Sequence, residues 1–382
     1  MTLDEMRMNA AYGDWPLHYD ALRPEVVVDA EGNRTELKDT GIKILPNGDV
    51  QFRVYAPGTK WIEITSKAFE LEMTKDADGF FTAVLPFDPI KAGPHSFDFI
   101  FDGTPLLYPY APISWHRNRP VNYVDIPDVE TPYVLVNDVP HGTVSREIFR
   151  SETTGNWERC IVYTPPGYMK GTEEYPVLYL QHGMTENEVT WEYNGRVSSI
   201  MDNLIAEGKI VPFIVVMNNG MLSLDNNPAA GSALGDLLLN DCIPYIEKTY
   251  RVKTDKWSRA MAGLSMGSMQ TSMYGTTHPE LFGYLGLFSG FMCNFLAGAD
   301  LTQPHLKALD DTEKFAQEFK VYFRSIGDKD NLIARFLDDD KICAEKGIDR
   351  LENYHRVIYE NQFHEFGAWR RALYDFAQLI FK

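Results

Sequence analysis

The sequence contains little cysteine and no closely spaced cysteine pair. Its four cysteines, Cys160, Cys242, Cys293 and Cys343, are far apart in a chain of 382 residues. Structural zinc sites and disulfide frameworks use cysteines at short, recurring spacings, so neither is indicated. We therefore expect no metal and no cofactor.

Long apolar runs are also missing from the sequence. No stretch of about twenty apolar residues could form a membrane-spanning helix. The first thirty residues lack the basic start and the apolar run of a signal peptide. As written, the sequence predicts a soluble cytoplasmic protein with no membrane partner. A leader removed upstream of residue 1 would change this interpretation to a secreted protein.

The sequence contains fewer basic residues than acidic residues. The 36 Lys and Arg residues stand against 54 Asp and Glu residues, which gives a net charge of −18. Nucleic acid binding depends on the neutralisation of phosphates by basic side chains, so we do not expect a nucleic acid partner. Aromatic residues make up 13% of the chain. That content suits a cleft for sugars or flat rings, although large hydrophobic cores use aromatic residues too.

The segment 41–127 has the alternating pattern of β-strands. Val50, Phe52 and Val54 alternate with polar residues, and Phe97, Phe99 and Phe101 recur at every second position before an Asp-Gly turn. Turns rich in Pro, Gly and Asp separate these runs, which is typical of a small all-β sandwich. Residues 1–40 precede it as an N-terminal extension, residues 128–143 follow it as a proline-containing linker, and the remaining segment is 144–382.

The segment 144–382 alternates buried-type strands with helices. Apolar strand-like runs occur at 177–180, 213–217 and 321–323, and helical spacing of apolar residues occurs between them. Fully apolar strands that alternate with helices indicate a mostly parallel sheet covered on both faces. The predicted fold class of this segment is therefore α/β.

A Gly-x-Ser-x-Gly pattern marks the candidate nucleophile. Ser265 lies between Gly263 and Gly267, after a small-residue apolar run and before a helix-forming run. This is the pattern of a nucleophile elbow, a sharp strand-to-helix turn that lifts the serine oxygen clear of the sheet. We expect side chains at the two glycine positions to collide with the neighbouring strand and helix.

A carboxylate and a histidine follow Ser265 at the ends of later strands. Asp330 comes after the strand near 321–326, and His364 comes after the strand near 357–359. The order Ser, Asp, His is that of the α/β-hydrolase triad, in which the carboxylate orients a histidine base. A surface or helix-capping role is the alternative for His364. For Asp330 the alternatives are an N-capping role and replacement in the triad by Asp328 or Asp338.

Backbone donors are needed for the tetrahedral intermediate of such a reaction. We assign them to the amides of Met266, at the helix start after the nucleophile, and Met184, in the loop after residue 180. His182 in the same loop is interpreted as a brace rather than a base. His182, Trp191 and Arg196 are candidate substrate-binding residues, although Trp191 and Arg196 equally suit the packing of a long insertion. The loop 221–231 is a further candidate for the substrate side.

These motifs together resemble carbohydrate esterase family 1. The resemblance rests on the elbow 259–270, the helix 240–247 and the loop 181–183, with 327–331 and 363–369 similar to the acid and histidine motifs of the family. It is closest to bacterial feruloyl esterases found alone or fused to xylanases, which are related to the esterase D group. It covers the chain from about residue 140 and implies the roles given above for Asp330 and His364. The sandwich resembles early-set, glycogen-binding-type modules, which implies either sugar binding or shaping of the cleft.

The resemblance implies an α/β-hydrolase that releases hydroxycinnamates such as ferulate from plant cell-wall carbohydrate. The expected partner is thus a carbohydrate ester. Acetyl-xylan esterases share the fold and the triad, and a siderophore esterase of the enterochelin type is a third enzymatic alternative. A hydrolase-fold protein that only binds carbohydrate is the non-enzymatic alternative, although such proteins usually lack a triad member.

Overall fold

The structure is a computed structural model that describes most of the chain. The described residues are 25–88, 92–116, 119–126, 128–221, 234–290, 292 and 304–382. Three predictions made from the sequence lie outside them: part of the N-terminal extension (1–24), Cys293 and most of the candidate loop (222–231). The chain forms two compact units, Met1–Val136 and Asn137–Lys382, whose boundary falls inside the predicted linker.

Apart from one 3₁₀ turn, the regular structure described in the first unit consists of β-strands, as the alternating pattern predicted. Its first two strands pair antiparallel as a separate hairpin inside the predicted extension. Nine further strands form one antiparallel sheet in the order β10-β11-β8-β5-β6-β7-β4-β3, with β9 paired to β8. The strands are β1 Glu25–Val28, β2 Arg34–Leu37, β3 Gly41–Ile44, β4 Val50–Tyr55, β5 Ile62–Ser66, β6 Glu70–Lys75, β7 Phe80–Leu85, β8 Gly93–Phe101, β9 Thr104–Leu106, β10 Ile113–His116 and β11 Arg119–Ile126.

The sheet of the first unit curls around one aromatic core. Phe52 on β4 contacts Phe97 and Phe99 on β8, at ring-centroid distances of 5.4 and 6.5 Å in edge-to-face arrangements. These two strands are far apart in the strand order, so the sheet must fold back on itself to bring them together. Edge-to-face contact is the preferred geometry of aromatic pairs. The alternation of apolar residues read from the sequence therefore corresponds to the inner face of this sheet.

The second unit contains an eight-stranded sheet in the order β12-β13-β15-β14-β16-β17-β18-β19. The first three of these strands pair antiparallel, and all the pairs from β15 onward are parallel. The strands are β12 Thr143–Arg150, β13 Trp157–Thr164, β14 Val177–Gln181, β15 Ile214–Asn218, β16 Arg259–Leu264, β17 Tyr284–Phe288, β18 Val321–Gly327 and β19 Tyr354–Tyr359.

The sheet is thus mixed, which refines the prediction of a mostly parallel sheet. β12 and β13 form a hairpin, and a short connection can only join antiparallel strands, whereas parallel strands need a crossover. The crossovers in the parallel part are made by helices. They are α1 Thr190–Tyr193, α2 Val197–Ala206, α3 Leu234–Leu237, α4 Ile243–Thr249, α5 Met266–Gln270, α6 Pro304–Lys307, α7 Thr312–Glu318 and α8 Ile333–Lys346, whereas a ninth helix, α9 Phe366–Ala377, follows the last strand.

Short helical pieces also occur among the described residues. Single π-helical segments at Leu238–Cys242 and Thr271–Gly275 continue α3 and α5. One-turn 3₁₀ helices occur at Pro132–Val134, Tyr168–Lys170, Lys256–Ser258 and Ile348–Arg350. Among the described residues, no helix combines the length and the apolar character needed to cross a bilayer.

Candidate active site

The predicted site residues lie at one edge of the sheet, where the parallel strands end. Ser265 follows β16, Asp330 follows β18 and His364 follows β19. In open α/β sheets, ligands bind beyond the carboxyl ends of the strands. Because β16 is an inner strand, the site lies near the middle of this edge.

Ser265 occupies a strained elbow between β16 and α5. Its backbone has φ 51° and ψ −112°, a conformation that residues other than glycine rarely adopt. The Ser265 amide donates to the carbonyl of Phe288 at 2.9 Å, which ties the turn to β17. Strain of this kind persists only where the surroundings determine the conformation, and it is concentrated at functional sites.

The two elbow glycines make that turn possible. A Cβ atom at Gly263 would lie 2.6 Å from the backbone of Gly267, and one at Gly267 would lie 2.7 Å from the carbonyl oxygens of Gln181 and His182. Carbon atoms do not approach backbone atoms so closely without displacement of one of them. The close packing expected from the sequence pattern is therefore present.

Ser265, His364 and Asp330 form a continuous hydrogen-bonded series. His364 Nε2 lies 3.0 Å from Ser265 Oγ, and His364 Nδ1 lies 2.7 Å from Asp330 Oδ2. The side chain of His364 is 13% exposed and that of Asp330 is fully buried. The hydroxyl thus has a base within hydrogen-bond reach, and the base has a carboxylate that can fix its ring.

Asp330 is held at both of its oxygens. Oδ2 accepts from the Ser289 hydroxyl at 2.8 Å as well as from His364, and Oδ1 accepts from the Leu332 amide at 2.8 Å. Burial alone would raise the pKa of Asp330, but the bonds from His364, Leu332 and Ser289 outweigh it and lower the pKa below its usual value. Asp330 is therefore ionised whenever His364 needs a negative partner.

The two alternative carboxylates are directed elsewhere. Asp328 is on the same loop as Asp330, but its carboxylate pairs with the side chain of Lys329. Asp338 lies on α8, is 69% exposed and pairs with Lys341 one turn later. Asp330 is the carboxylate that the structure brings to His364.

Met266 and the loop that carries Met184, the two predicted sources of oxyanion donors, are close to the nucleophile. Met266 begins α5, and the first amides of a helix have no partner within it. The loop that carries Met184 passes close to Ser265, because a Cβ atom at Gly183 would lie 3.5 Å from Ser265 Cβ. Within the described part of the chain, no acceptor takes the Met184 amide. The arrangement can place two backbone donors next to one hydroxyl.

His182 braces the loop after β14. The Gly220 amide donates to His182 Nε2 at 2.8 Å, so the ring proton is on Nδ1, which lies 2.8 Å from the Gly183 carbonyl. Burial lowers the pKa of His182, which keeps the ring neutral. Both ring nitrogens are thus used by backbone groups, which supports the interpretation as a brace.

Trp191 and Arg196 are inside the unit, with 0% and 2% of their surface exposed. The Trp191 indole donates to the Gln181 carbonyl at 2.9 Å, and its ring meets Phe366 edge-to-face at 5.5 Å. This arrangement fits the alternative in which Trp191 and Arg196 are packing residues. A substrate-binding role for these residues stays a prediction that the arrangement does not support.

Three buried polar residues near the site were missed by sequence reasoning. Ser289 and Trp369 contact the acid and the histidine, and Glu186 Oε2 accepts from the Gly183 amide at 2.9 Å. Trp369 belongs to the motif around His364, but nothing in its spacing indicated its contact. Ser289 follows a buried strand in the same way as Ser265 and Asp330, which was the available signal. In the described residues, no cluster of His, Cys, Asp and Glu could hold a metal ion.

Comparison with known proteins agrees with this fold. Residues 151–375 match the sequence family described as "Putative esterase". The chain belongs to this esterase family, as the motifs predicted.

The sequence relatives of this chain include a protein that is named as both a xylanase and a feruloyl esterase. It is 35% identical over 351 residues to an endo-1,4-beta-xylanase/feruloyl esterase of Xylanibacter ruminicola, covering 88% of this chain and 45% of that protein. The chain therefore spans about half the length of this relative.

Two solved structures have the same fold. A CE1 ferulic acid esterase from Anaeromyces mucronatus, in complex with ferulic acid, is 21% identical, with a TM-score of 0.55 over 65% of this chain and 94% of that one. The enterochelin esterase from Shigella flexneri is 14% identical, with a TM-score of 0.64 over 89% of this chain and 95% of that one. At these identities the likeness concerns the fold alone.

Proposed function

We propose that this chain hydrolyses carboxylic esters through an acyl-serine intermediate. The observation that carries the proposal is the hydrogen-bonded series from Ser265 through His364 to Asp330. A serine hydroxyl is a weak nucleophile at neutral pH and needs a base within reach.

In this mechanism His364 takes the Ser265 proton as the oxygen attacks the ester carbonyl, and then gives it to the leaving alcohol. Water attacks the acyl-serine with His364 again as the base, which releases the acid and restores the hydroxyl. Asp330 holds the imidazole ring and stabilises the imidazolium that forms. The charge on the substrate oxygen would be met by the Met184 and Met266 amides, and loss of one such donor typically costs about 10²–10³ in turnover.

We propose a hydroxycinnamoyl group, such as ferulate on plant cell-wall carbohydrate, as the acyl group. The name of the relative from Xylanibacter ruminicola supports this choice. A small apolar cluster next to the triad is a second support. It is separate from the main core and combines Met266 and Met269 with the partly buried Met221 and Leu332. Methionine is flexible and makes favourable sulfur–aromatic contacts, so this cluster suits the wall of a site for a planar ring.

The acyl preference is tested with purified protein and two substrates. 4-Nitrophenyl ferulate and 4-nitrophenyl acetate, which share a leaving group, are compared by kcat/KM, and we expect at least about a tenfold preference for ferulate because an apolar site discriminates between acyl groups by the area it buries. Fast acetyl turnover with undetectable ferulate release would replace the feruloyl assignment by that of an acetyl-xylan esterase type.

A siderophore esterase is the second candidate function. The fold likeness to the enterochelin esterase extends over both units of this chain, which favours it. The net charge of −18 opposes it, since a ferric catecholate substrate is itself an anion. Hydrolysis of a cyclic catecholate triester faster than methyl ferulate would select this candidate.

A further inference from the structure

Ser289 is a buried serine between the carboxylate of the site and an indole. It follows β17, is 1% exposed and has a φ of 44° in the left-handed region. Its hydroxyl oxygen lies 2.8 Å from Asp330 Oδ2 and 2.8 Å from Trp369 Nε1. The proposed mechanism uses neither Ser289 nor Trp369.

The direction of these two bonds follows from the chemistry of the indole. An indole N–H can donate a hydrogen bond but cannot accept one. Ser289 Oγ must therefore accept from Trp369, and its single proton is left for Asp330 Oδ2. The same carboxylate oxygen receives His364 Nδ1 at 2.7 Å. The Ser289 hydroxyl and the His364 imidazole are thus hydrogen-bonded to the same carboxylate oxygen of Asp330.

The backbone around Ser289 is fixed on both sides. The carbonyl of Phe288 accepts from the Ser265 amide at 2.9 Å, and the Gly290 amide donates to the Ser325 carbonyl on β18 at 3.0 Å. The backbone on one side of Ser289 is therefore hydrogen-bonded to Ser265, and the backbone on the other side is hydrogen-bonded to β18, the strand that precedes Asp330.

Trp369 also contacts the histidine directly. Its ring stands edge-to-face with the His364 ring, at a centroid distance of 5.1 Å and an interplanar angle of 88°. Trp369 lies on α9 and is 5% exposed, so its position is set by the packing of that helix. One side chain thereby reaches both the histidine and, through Ser289, the carboxylate that orients it.

We propose that Ser289 and Trp369 are positioning residues for the triad. The indole N–H directs the Ser289 proton to Asp330 Oδ2, and this bond holds the carboxylate in the orientation that His364 requires. The inference rests on the proposed function, because it assumes that His364 acts on Ser265.

A double-mutant cycle tests whether Trp369 acts on Asp330 through Ser289. Ser289→Ala, Trp369→Phe and the double variant are compared with the wild type by kcat and KM on methyl ferulate. We expect Ser289→Ala to lower kcat about tenfold and Trp369→Phe about threefold, both at unchanged KM, because a small misplacement of a triad member slows the chemical step. Trp369→Phe keeps an aromatic ring for the contact with His364 and removes the indole N–H, which acts only through the serine, so the double variant should equal Ser289→Ala.

Ser151→Ala is the matched control. Ser151 is also fully buried and also donates to an aspartate, Asp241 Oδ2, at 2.8 Å, but it follows β12 at the opposite edge of the sheet from β18 and β19. We expect its kcat to equal that of the wild type. A slowing of this variant comparable to that of Ser289→Ala would overturn the inference, because loss of any buried serine would then have the same effect.

Other outcomes are equally decisive. A kcat of Ser289→Ala equal to that of the wild type would contradict the inference. So would a loss of kcat in the double variant that equals the product of the two single losses. If Ser289→Ala does not fold, Trp369→Phe alone must still lower kcat at unchanged KM, and an unchanged kcat would refute the role of the indole. A wild-type protein that turns over no ester contradicts the proposed function, whereas normal wild-type turnover with an unaffected Ser289→Ala contradicts only the positioning inference.

Discussion

Two sets of buried polar side chains, one in each unit, are used differently. In the first unit, Asn122 accepts from the Tyr108 amide and donates to the Tyr108 carbonyl, both at 2.8 Å, so it closes a loop of backbone. In the second unit, Asp330 and Ser289 form a series of side chains that ends at the partly exposed hydroxyl of Ser265. Burial of a polar group is costly unless its hydrogen bonds are made.

The difference shows where chemistry resides in this chain. A side chain that bonds only backbone stabilises the fold, and its removal is expected to change stability. Side chains that are hydrogen-bonded in series to an accessible hydroxyl hold the reacting atom in position. Removal of one of these side chains is expected to change turnover. The predictions below separate these two effects.

The largest expected effect is that of Ser265→Ala. We expect ester turnover to fall by about 10⁵–10⁶, as found when a triad nucleophile is removed, while the free energy of unfolding changes by less than about 1 kcal/mol. Turnover on methyl ferulate and urea unfolding measure the two quantities. Activity retained within tenfold of the wild type would place the chemistry at another residue.

The opposite result is expected for Phe52→Ala in the first unit. Phe52 is fully buried and contacts three other phenylalanine rings, so its truncation leaves a cavity. We expect a loss of about 3–5 kcal/mol in the stability of this unit. Phe87→Ala is the matched control, because Phe87 is 46% exposed, and we expect it to cost less than about 1 kcal/mol.

Urea unfolding read out by limited proteolysis of the first unit compares these variants. Equal losses for Phe52→Ala and Phe87→Ala would mean that the aromatic core does not hold this unit together.

The smallest expected effect concerns the pH dependence of stability. The folded pKa of Asp330 lies below its usual value, so the folded state binds this proton more weakly than the unfolded state. Its ionised form therefore stabilises the fold above the unfolded pKa, and this contribution is lost as the pH falls through the folded pKa. The stability difference between the wild type and Asp330→Asn should shrink as the pH falls from about 5 to about 3. A constant difference over this range would contradict the assignment.

The sequence was sufficient to predict the elbow and the positions of the three triad residues at strand ends. Those predictions rest on local rules: glycines at Gly263 and Gly267 permit a tight turn, and parallel strands end at one edge of a sheet. The all-β character of the first unit followed from the period-two pattern in the same way.

Other features depend on contacts between distant residues and could not be predicted. Ser289 and Trp369 are 80 residues apart in sequence, and their bond exists only because α9 packs beside the end of β17. The prediction of a mostly parallel sheet did not separate the antiparallel strands β12 and β13 from the rest, because the sequence pattern of one strand does not reveal which strand it pairs with. The β1–β2 hairpin lies in a segment whose valines, Val26, Val27 and Val28, are consecutive, so it lacks the apolar alternation that marks a strand.

The central claim is that Ser265 is the nucleophile of an acyl-transfer site. Its most direct test is labelling with a serine-directed phosphonate probe, with the modified peptide identified by mass spectrometry. We expect one label, on Ser265, in the wild type, none in Ser265→Ala and much slower labelling in His364→Ala. No label on the wild type, or a label that persists in Ser265→Ala, would contradict the account.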